Sequence, residues 1–273
     1  MSPSALALMA VFAHPDDEAF GTGGTLARYA REGCDVYLVT ATRGEAGEIA
    51  VPELTTPADL PFVREQELRC ACELYGIHPP RFLDYPDGLL PIIHQGQAVG
   101  KLVRLIRELK PQVLITFGAD GIYGHYDHIA AHHWTTIAFD LAADPQCFPG
   151  QLETGCEPHQ ASKLYYRVLS EQRLAAMSDA GGRSAVMMDG VPFPLVAASQ
   201  DQITAVIDVG DSAEAKLAGL QCHVSQLGYE LPFGQSAEEL LRQPWFRQET
   251  FQLARSTVGW PQELETDLFA GLR

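Results

Sequence analysis

Five consecutive residues, His14-Pro15-Asp16-Asp17-Glu18, place one imidazole and three carboxylates directly after an apolar run that ends at Ala13. Buried charge is costly unless it is paired or bound to metal, so packing alone does not account for so many ionisable groups at one strand end. On these residues alone two readings stand side by side. One is a metal-binding loop; the other is a solvated turn in which an acidic side chain, Glu18 above all, caps a helix beginning near Ala19. A second polar run, Asp120-Gly121-Ile122-Tyr123-Gly124-His125-Tyr126-Asp127-His128, follows another apolar run that ends at Phe117. Its His-x-Asp-His pattern offers a second imidazole ligand and further polar groups. Together the two loops suffice for a His2Asp site, and three protein ligands with an open position is the arrangement of a catalytic zinc rather than a structural one.

Two loops can share a metal only if the elements before them end at the same edge of a sheet. The first half of the chain alternates β-rich runs with helical patterns, as a parallel sheet flanked by helices does. Strands are expected at Leu6–Ala13, Asp35–Thr40, Arg81–Leu83 and Val113–Phe117, and helices at Thr25–Glu32, Phe62–Tyr75 and Val99–Leu109, the last stopped by Pro111. After about Asp144 the pattern is less regular. It holds apolar strands near Leu164–Leu169 and Ile203–Val209, an amphipathic helix from Ser212 to about Gln226, and a helix and last strand within Glu238–Arg255. The fold class expected is α/β, a Rossmann-like, mostly parallel sheet flanked by helices, with an irregular C-terminal extension packed on the same domain. No long flexible linker divides residues 1–273, so one domain is expected. Ligands of open α/β sheets bind at the carboxyl ends of strands, where both polar runs fall.

The charge balance, 19 Lys+Arg against 35 Asp+Glu, gives a formal net charge of −16 with no compact basic run, which argues against nucleic acid and anionic lipid as partners. Six cysteines (Cys34, Cys70, Cys72, Cys147, Cys156, Cys222) form no CxxC pair and are too few for a disulfide scaffold, so reduced thiols are expected. The apolar run before His14 has no basic residue ahead of it, and no stretch of about 18 apolar residues exists to span a membrane. A soluble, cytoplasmic protein is the expectation; the pattern leaves a homo-oligomer open.

Ala13-His14-Pro15-Asp16-Asp17-Glu18 followed by His125-x-Asp127-His128 resembles the PIG-L/LmbE-like de-N-acetylases, a zinc-dependent family acting mainly on N-acetylglucosaminyl compounds. The resemblance extends to Arg64-Glu65-x-Glu67-Leu68 and to Lys216–Gln226 (KLAGLQCHVSQ), and so spans most of the chain. It implies that His14, Asp17 and His128 hold Zn2+, with Fe2+ as the alternative ion, and that Asp16 is the general base. It further implies His125 or Tyr123 as donor to the oxyanion, Asp127 as a residue orienting an imidazole, and Arg64 at the sugar hydroxyls of a small N-acetylated amino-sugar substrate. The chemistry agrees with the division of the carboxylates. One must be committed to the metal, while its neighbour stays free to take a proton.

Several residues carry a second reading. Arg64 also reads as a surface arginine paired to Glu65 or Glu67, and Asp87, placed to reach the substrate pocket, sits in a Pro-Asp-Gly turn sequence. His132 follows His128 by four residues and competes with it as ligand if a helix begins at Asp127. His223 matches the family segment and reads equally as a half-buried helix histidine; His78, His94, His133 and His159 carry no partner in sequence. Gly21-Thr22-Gly23-Gly24-Thr25 suggests a dinucleotide fingerprint, but Leu26 stands where the last glycine belongs and the acidic run ahead would repel a pyrophosphate. A non-haem iron oxygenase and a catalytically silent metal- or sugar-binding module share the His2Asp donors. A free Asp16 beside Asp17 favours catalysis over mere binding.

Overall fold

The computed structural model describes residues 6–179, 184–188, 190–231 and 235–273. The chain enters through β1 (Ala7–Phe12), all six residues of which are buried, because a strand covered on both faces is an unbroken apolar run. There follow α1 (Gly23–Arg31), β2 (Asp35–Thr40), α2 (Leu60–Tyr75), β3 (Arg81–Phe82), α3 (Gln95–Leu109) and the fully buried β4 (Val113–Phe117). A kinked turn, α4 (Gly121–Gly124), leads into α5 (Tyr126–Leu141), and a short α6 (Gly150–Glu153) precedes β5 (Lys163–Ser170) and α7 (Glu171–Asp179). The remainder is a hairpin of β6 (Ala185–Met188) and β7 (Val191–Pro194), then β8 (Ala197–Ala198), β9 (Ala205–Asp208), α8 (Ala213–Cys222), α9 (Val224–Leu227), α10 (Ala237–Arg242) and β10 (Gln248–Ser256).

The main sheet runs β3-β2-β1-β4-β5-β10-β9, with β8 paired to β5. From β3 to β5 every pairing is parallel; β10 is antiparallel to both β5 and β9. This is the expected mostly parallel α/β sheet, and the C-terminal strands extend it. Strand order reverses between β1 and β4, so the loops leaving these two neighbours diverge and open a crevice between them. Both polar runs start there. Around the sheet, α1, α2 and α8 pack on one another and α3 packs on α5, closing one large buried cluster that includes Leu8, Met9, Leu68, Val103, Leu114 and Trp134. At Gly219 of α8 an added Cβ would lie 2.2 Å from the Tyr75 ring, which is how closely α8 approaches α2.

Two expectations change. The single helix read from Ser212 to Gln226 is broken at His223 (φ −84, ψ 52) into α8 and α9, and the turn so made carries the His223 side chain inward. Cys70 and Cys222 form a disulfide, not reduced thiols: the packing of α2 on α8 brings residues 152 apart in sequence to a Cα–Cα distance of 6.1 Å, which no spacing rule detects. The glycines before α1 serve packing, since a Cβ at Gly23 or Gly24 would collide with Tyr75 or Val209. The helix N-terminus that a pyrophosphate would use is filled by Glu249, whose carboxylate accepts the N–H groups of Gly24 (3.1 Å) and Thr25 (2.7 Å). No helix among the described residues is long and apolar enough to cross a membrane.

Candidate metal centre

The loop after β1 is wound tightly around its own carboxylates. Asp17 Oδ2 accepts the N–H groups of Ala13 (3.2 Å) and His14 (2.7 Å), and Glu18 Oε2 accepts the N–H of Asp16 (3.1 Å). Between them Asp16 adopts φ 112, a left-handed backbone that costs a non-glycine residue about 1–3 kcal/mol and persists only where its surroundings impose it. The consequence is that neighbouring carboxylates point to different tasks. Asp17 turns inward, whereas the Asp16 side chain keeps 18% exposure.

The loop after β4 is strained in the same way. Gly121 and Gly124 have positive φ, and so does Ile122 (φ 71), a β-branched residue for which this is a genuine outlier. Asp120 caps the turn by accepting the N–H of Ile122 (2.7 Å). His125 then caps α5, its Nδ1 accepting the N–H of Asp127 (3.1 Å). That bond fixes the tautomer: a neutral ring accepting at Nδ1 carries its proton at Nε2 and is a donor there. Burial, helped by His128 and His14, pushes the His125 imidazole down to about 4, so it is neutral near pH 7. The Tyr123 ring packs against both His125 and His128, and burial beside Asp17 and Asp16 keeps its hydroxyl protonated well above the ordinary tyrosine range.

The crevice brings these loops together. His128 lies flat on Phe117 and donates from Nδ1 to the Gly121 carbonyl (3.0 Å), which leaves Nε2 buried without a hydrogen bond among the described residues, 3.1 Å from Asp17 Oδ1. His14 faces Asp17 with Nδ1 (3.4 Å), while its Nε2 meets Asp87 Oδ1 (2.9 Å) and Asp127 Oδ2 (3.3 Å). Against the burial that opposes it, the carboxylates of Asp127, Asp17 and Asp87 raise the His14 imidazole well above its ordinary value; the two imidazoles, outweighing burial, hold Asp17 well below the usual carboxylate range.

These donors fit a divalent metal. Ligand atoms of His14, Asp17 and His128 all lie within 4.8 Å of one another, and the orphaned Nε2 of His128 is aimed among them. Each imidazole has its other nitrogen engaged by a carbonyl or carboxylate, the usual support of a metal-binding histidine. Four carboxylates, of Asp16, Asp17, Asp87 and Asp127, surround the crevice against two guanidinium groups, of Arg64 at Asp16 and Arg167 at the Asp17 carbonyl, so a dication would offset the excess of negative charge. A second group, His14, His125 and Asp127, meets the same distance limit. Its carboxylate is already committed: Asp127 is fully buried and accepts the N–H groups of Gly88 (2.7 Å) and Leu90 (3.0 Å). His132 belongs to neither group and donates from Nδ1 to the Phe117 carbonyl (2.9 Å).

The two residues expected at the substrate, Arg64 and Asp87, both make polar contacts within the chain. Arg64 is buried, bonded to the carbonyls of Gly44 (2.7 Å) and Pro15 (2.5 Å) and to Asp16 Oδ2 (3.1 Å). Its hydrogen bonds thus serve the Asp16 loop rather than a surface pair: Glu65 goes to Arg43 and Arg69, and Glu67 to Ser225. Gly44 makes room for the guanidinium, since a Cβ there would lie 2.2 Å from it. Asp87 is more than a turn residue, because its carboxylate reaches His14 and accepts the N–H of Ala46 (2.9 Å). Burial pushes the Asp16 carboxyl up to about 6 against the pull of Arg64. Sequence reasoning missed Arg167, which donates to the Asp17 carbonyl (3.2 Å) from β5, and the buried pairing of His223 with Glu18 (2.8 Å). Nothing local marks Arg167; the His223-Val224-Ser225-Gln226 segment was the available signal for the second.

The family model described as PIG-L, GlcNAc-PI de-N-acetylase, matches residues 9–139, which hold both loops. The chain is 39% identical to a 1D-myo-inositol 2-acetamido-2-deoxy-alpha-D-glucopyranoside deacetylase of Nocardioides sp., covering 97% of this chain and 98% of that one. It is 34% identical to the protein of the same name from Kineococcus radiotolerans, covering 97% and 82%. Among solved structures it is similar to an N,N'-diacetylchitobiose deacetylase from Pyrococcus horikoshii (TM-score 0.68, 20% identity, 92% of this chain and 84% of that one). The 4-carboxy-2-hydroxymuconate hydratase GalB of Pseudomonas putida superimposes nearly as well (TM-score 0.66, 19% identity, 94% and 99%). The fold alone therefore does not select the reaction.

Proposed function

Because the chain belongs to the PIG-L family of GlcNAc-PI de-N-acetylases, we propose that it is a zinc-dependent hydrolase that removes the N-acetyl group of an amino sugar, with Asp16 as general base. His14, Asp17 and His128 would hold the ion, and iron(II) suits the same donors. The observation that carries this reading is the divided pair of carboxylates: Asp17 is locked onto the loop and the imidazoles, and Asp16 stays partly open with its carboxyl raised to about 6. A general base works best with a pKa near the operating pH, and a binding site has no use for one.

When bound, the ion supplies Lewis acidity, polarising the acetamide carbonyl and lowering the pKa of a water toward about 7. Asp16 takes the proton of the attacking water and returns it to the departing amine. His125 Nε2–H and the Tyr123 hydroxyl, both protonated in this environment, donate to the carbonyl oxygen as it gains negative charge. Asp127 and Asp87 hold the outer nitrogen of His14 and so orient the ring. Arg64 grips Asp16. The relatives' names make the N-acetylglucosaminide of myo-inositol the first substrate to assay, with a simple alkyl N-acetylglucosaminide beside it.

The test is acetate release by zinc-loaded protein. Asp16→Asn is expected to lower kcat by about 10²–10⁴-fold, the usual contribution of a positioned base, with one zinc per chain retained. A full rate in Asp16→Asn would remove the base assignment. Absence of any activation by zinc or iron(II) would remove the hydrolase reading as a whole.

A further inference from the structure

The turn at Asp16 is held from two sides, by Arg64 and by a Glu18 that His223 backs from 205 positions away. On one side Arg64 of α2 bonds the Pro15 carbonyl and the Asp16 carboxylate. On the other, Glu18 accepts the Asp16 N–H on Oε2 (3.1 Å) and presents Oε1 to His223 Nε2 (2.8 Å). Glu18 and His223 are both fully buried, and among the described residues His223 Nδ1 has no hydrogen-bond partner, so the hydrogen bond of the imidazole there is the one to Glu18. An ion pair so placed is no bargain for stability, since apolar residues of similar volume usually serve as well. What an apolar pair cannot do is hold an amide N–H.

The chain is built to deliver His223 to this spot. α8 breaks at His223, and two residues later Ser225 gives its N–H (2.7 Å) and hydroxyl (2.6 Å) to Glu67. Glu67 stands three residues after Arg64 on α2, which places the two anchors on one helix face. Ser225 also accepts the N–H of Ala50 on its carbonyl (2.8 Å), and Gln226 donates to the Glu48 carbonyl (3.0 Å). The segment 223–226 therefore joins the Asp16 loop, α2 and the loop between β2 and α2.

We propose that His223, acting through Glu18, is a positioning residue for Asp16: it fixes the Glu18 carboxylate that holds the Asp16 amide in its left-handed conformation and so aims the Asp16 side chain. The inference rests on the reading of Asp16 as the base. Losing the imidazole frees Glu18, lets the Asp16 backbone relax to an ordinary conformation and moves its carboxylate off line. Misplacement of a reacting group by about 1 Å costs on the order of 10²-fold in rate.

The experiment measures kcat and KM for acetate release from methyl N-acetylglucosaminide, with zinc stoichiometry and melting temperature for every variant. His223→Leu is expected to lower kcat by about 10²-fold with KM within about threefold of wild type and one zinc per chain, while His223→Gln, which keeps an N–H for Glu18, recovers most of the loss. In an Asp16→Asn background His223→Leu is expected to cost nothing further, because both substitutions act on the same group. Wild-type kcat in His223→Leu overturns the proposal, as does an equally poor His223→Gln or a full additional loss in the Asp16→Asn background. Should His223→Leu fail to fold, His223→Gln and His223→Asn carry the comparison: a graded fall in kcat at constant KM and zinc content supports positioning, and wild-type kcat in both together with equal loss of fold in His223→Leu overturns it. The two readings fail separately. An active Asp16→Asn removes the base, and an inactive Asp16→Asn with a fully active His223→Leu removes only the positioning role.

Discussion

Replacing Asp127 by Asn separates the two metal-ligand groups that the crevice contains, because His14 is common to both and Asp127 is not. Asp127 is fully buried, and its two oxygens serve three N–H groups: Gly88 at 2.7 Å and His14 Nε2 at 3.3 Å on Oδ2, Leu90 at 3.0 Å on Oδ1. Asparagine has one acceptor oxygen. Whichever way it turns, an NH2 faces either Leu90 or the Gly88 and His14 side, and each buried donor left without an acceptor costs about 1–3 kcal/mol. If His14, Asp17 and His128 hold the ion, Asp127 acts from behind His14, and loss of such a carboxylate typically weakens metal binding about 10–100-fold. That corresponds to about 1.4–2.8 kcal/mol of binding free energy. The assay is competition for zinc with a chromogenic chelator, run beside urea unfolding of the metal-free protein, where a loss of about 1–3 kcal/mol is expected. His128→Ala is expected to lose zinc outright in the same titration. Unchanged affinity in Asp127→Asn would refute the reasoning, and so would its complete loss of zinc together with retained binding in His128→Ala, which would move the ligand set to His14, His125 and Asp127.

Three further substitutions or treatments test how the frame holds the site. Glu249→Gln removes the charge that caps α1 and pairs with the buried Lys216 (2.9 Å), and stranding that ammonium is expected to cost about 3–5 kcal/mol in urea unfolding. Against burial, Lys216 and the Thr25 contacts hold the Glu249 carboxyl below its ordinary range, so its stabilisation is complete above about pH 4.3 and is lost as pH falls through the lower folded value. Wild-type stability should accordingly decline more steeply on acidification than that of Glu249→Gln; parallel curves would count against the pairing. Gly219→Ala drives a methyl into the Tyr75 ring and is expected to destabilise by about 1–3 kcal/mol in calorimetry, an unchanged melting temperature being the contrary result. Reduction of Cys70–Cys222, whose partners are 152 residues apart, is expected to lower stability by about 2–4 kcal/mol; identical unfolding with and without dithiothreitol would show that the link does not constrain the chain.

Much of the frame was legible in the sequence because it rests on local pattern. β2 and β4 were read with the ends they have, since a short run rich in β-branched and aromatic residues has few other readings. The polar loops after β1 and β4 announced themselves because ionisable residues are not placed at buried strand ends without a partner. The helix ends were less legible: α3 begins at Gln95, four residues before the apolar spacing starts, because the first turn of a helix can be polar while it still hydrogen-bonds.

Residue types and spacing thus determined, by themselves, an α/β sheet and two reactive loops at its edge, together with the donors available there. Only the tertiary structure decided who serves whom. The reversal of strand order between β1 and β4 brings His128 to Asp17; the fold of α2 over the first loop turns Arg64 from the surface onto Asp16; the break after α8 delivers His223 to Glu18 across 205 positions. Hydrophobic periodicity records which face of an element is buried. It carries no record of which buried polar group will meet which, because those partners come from elements whose nearness is set by sheet topology and packing rather than by distance along the chain.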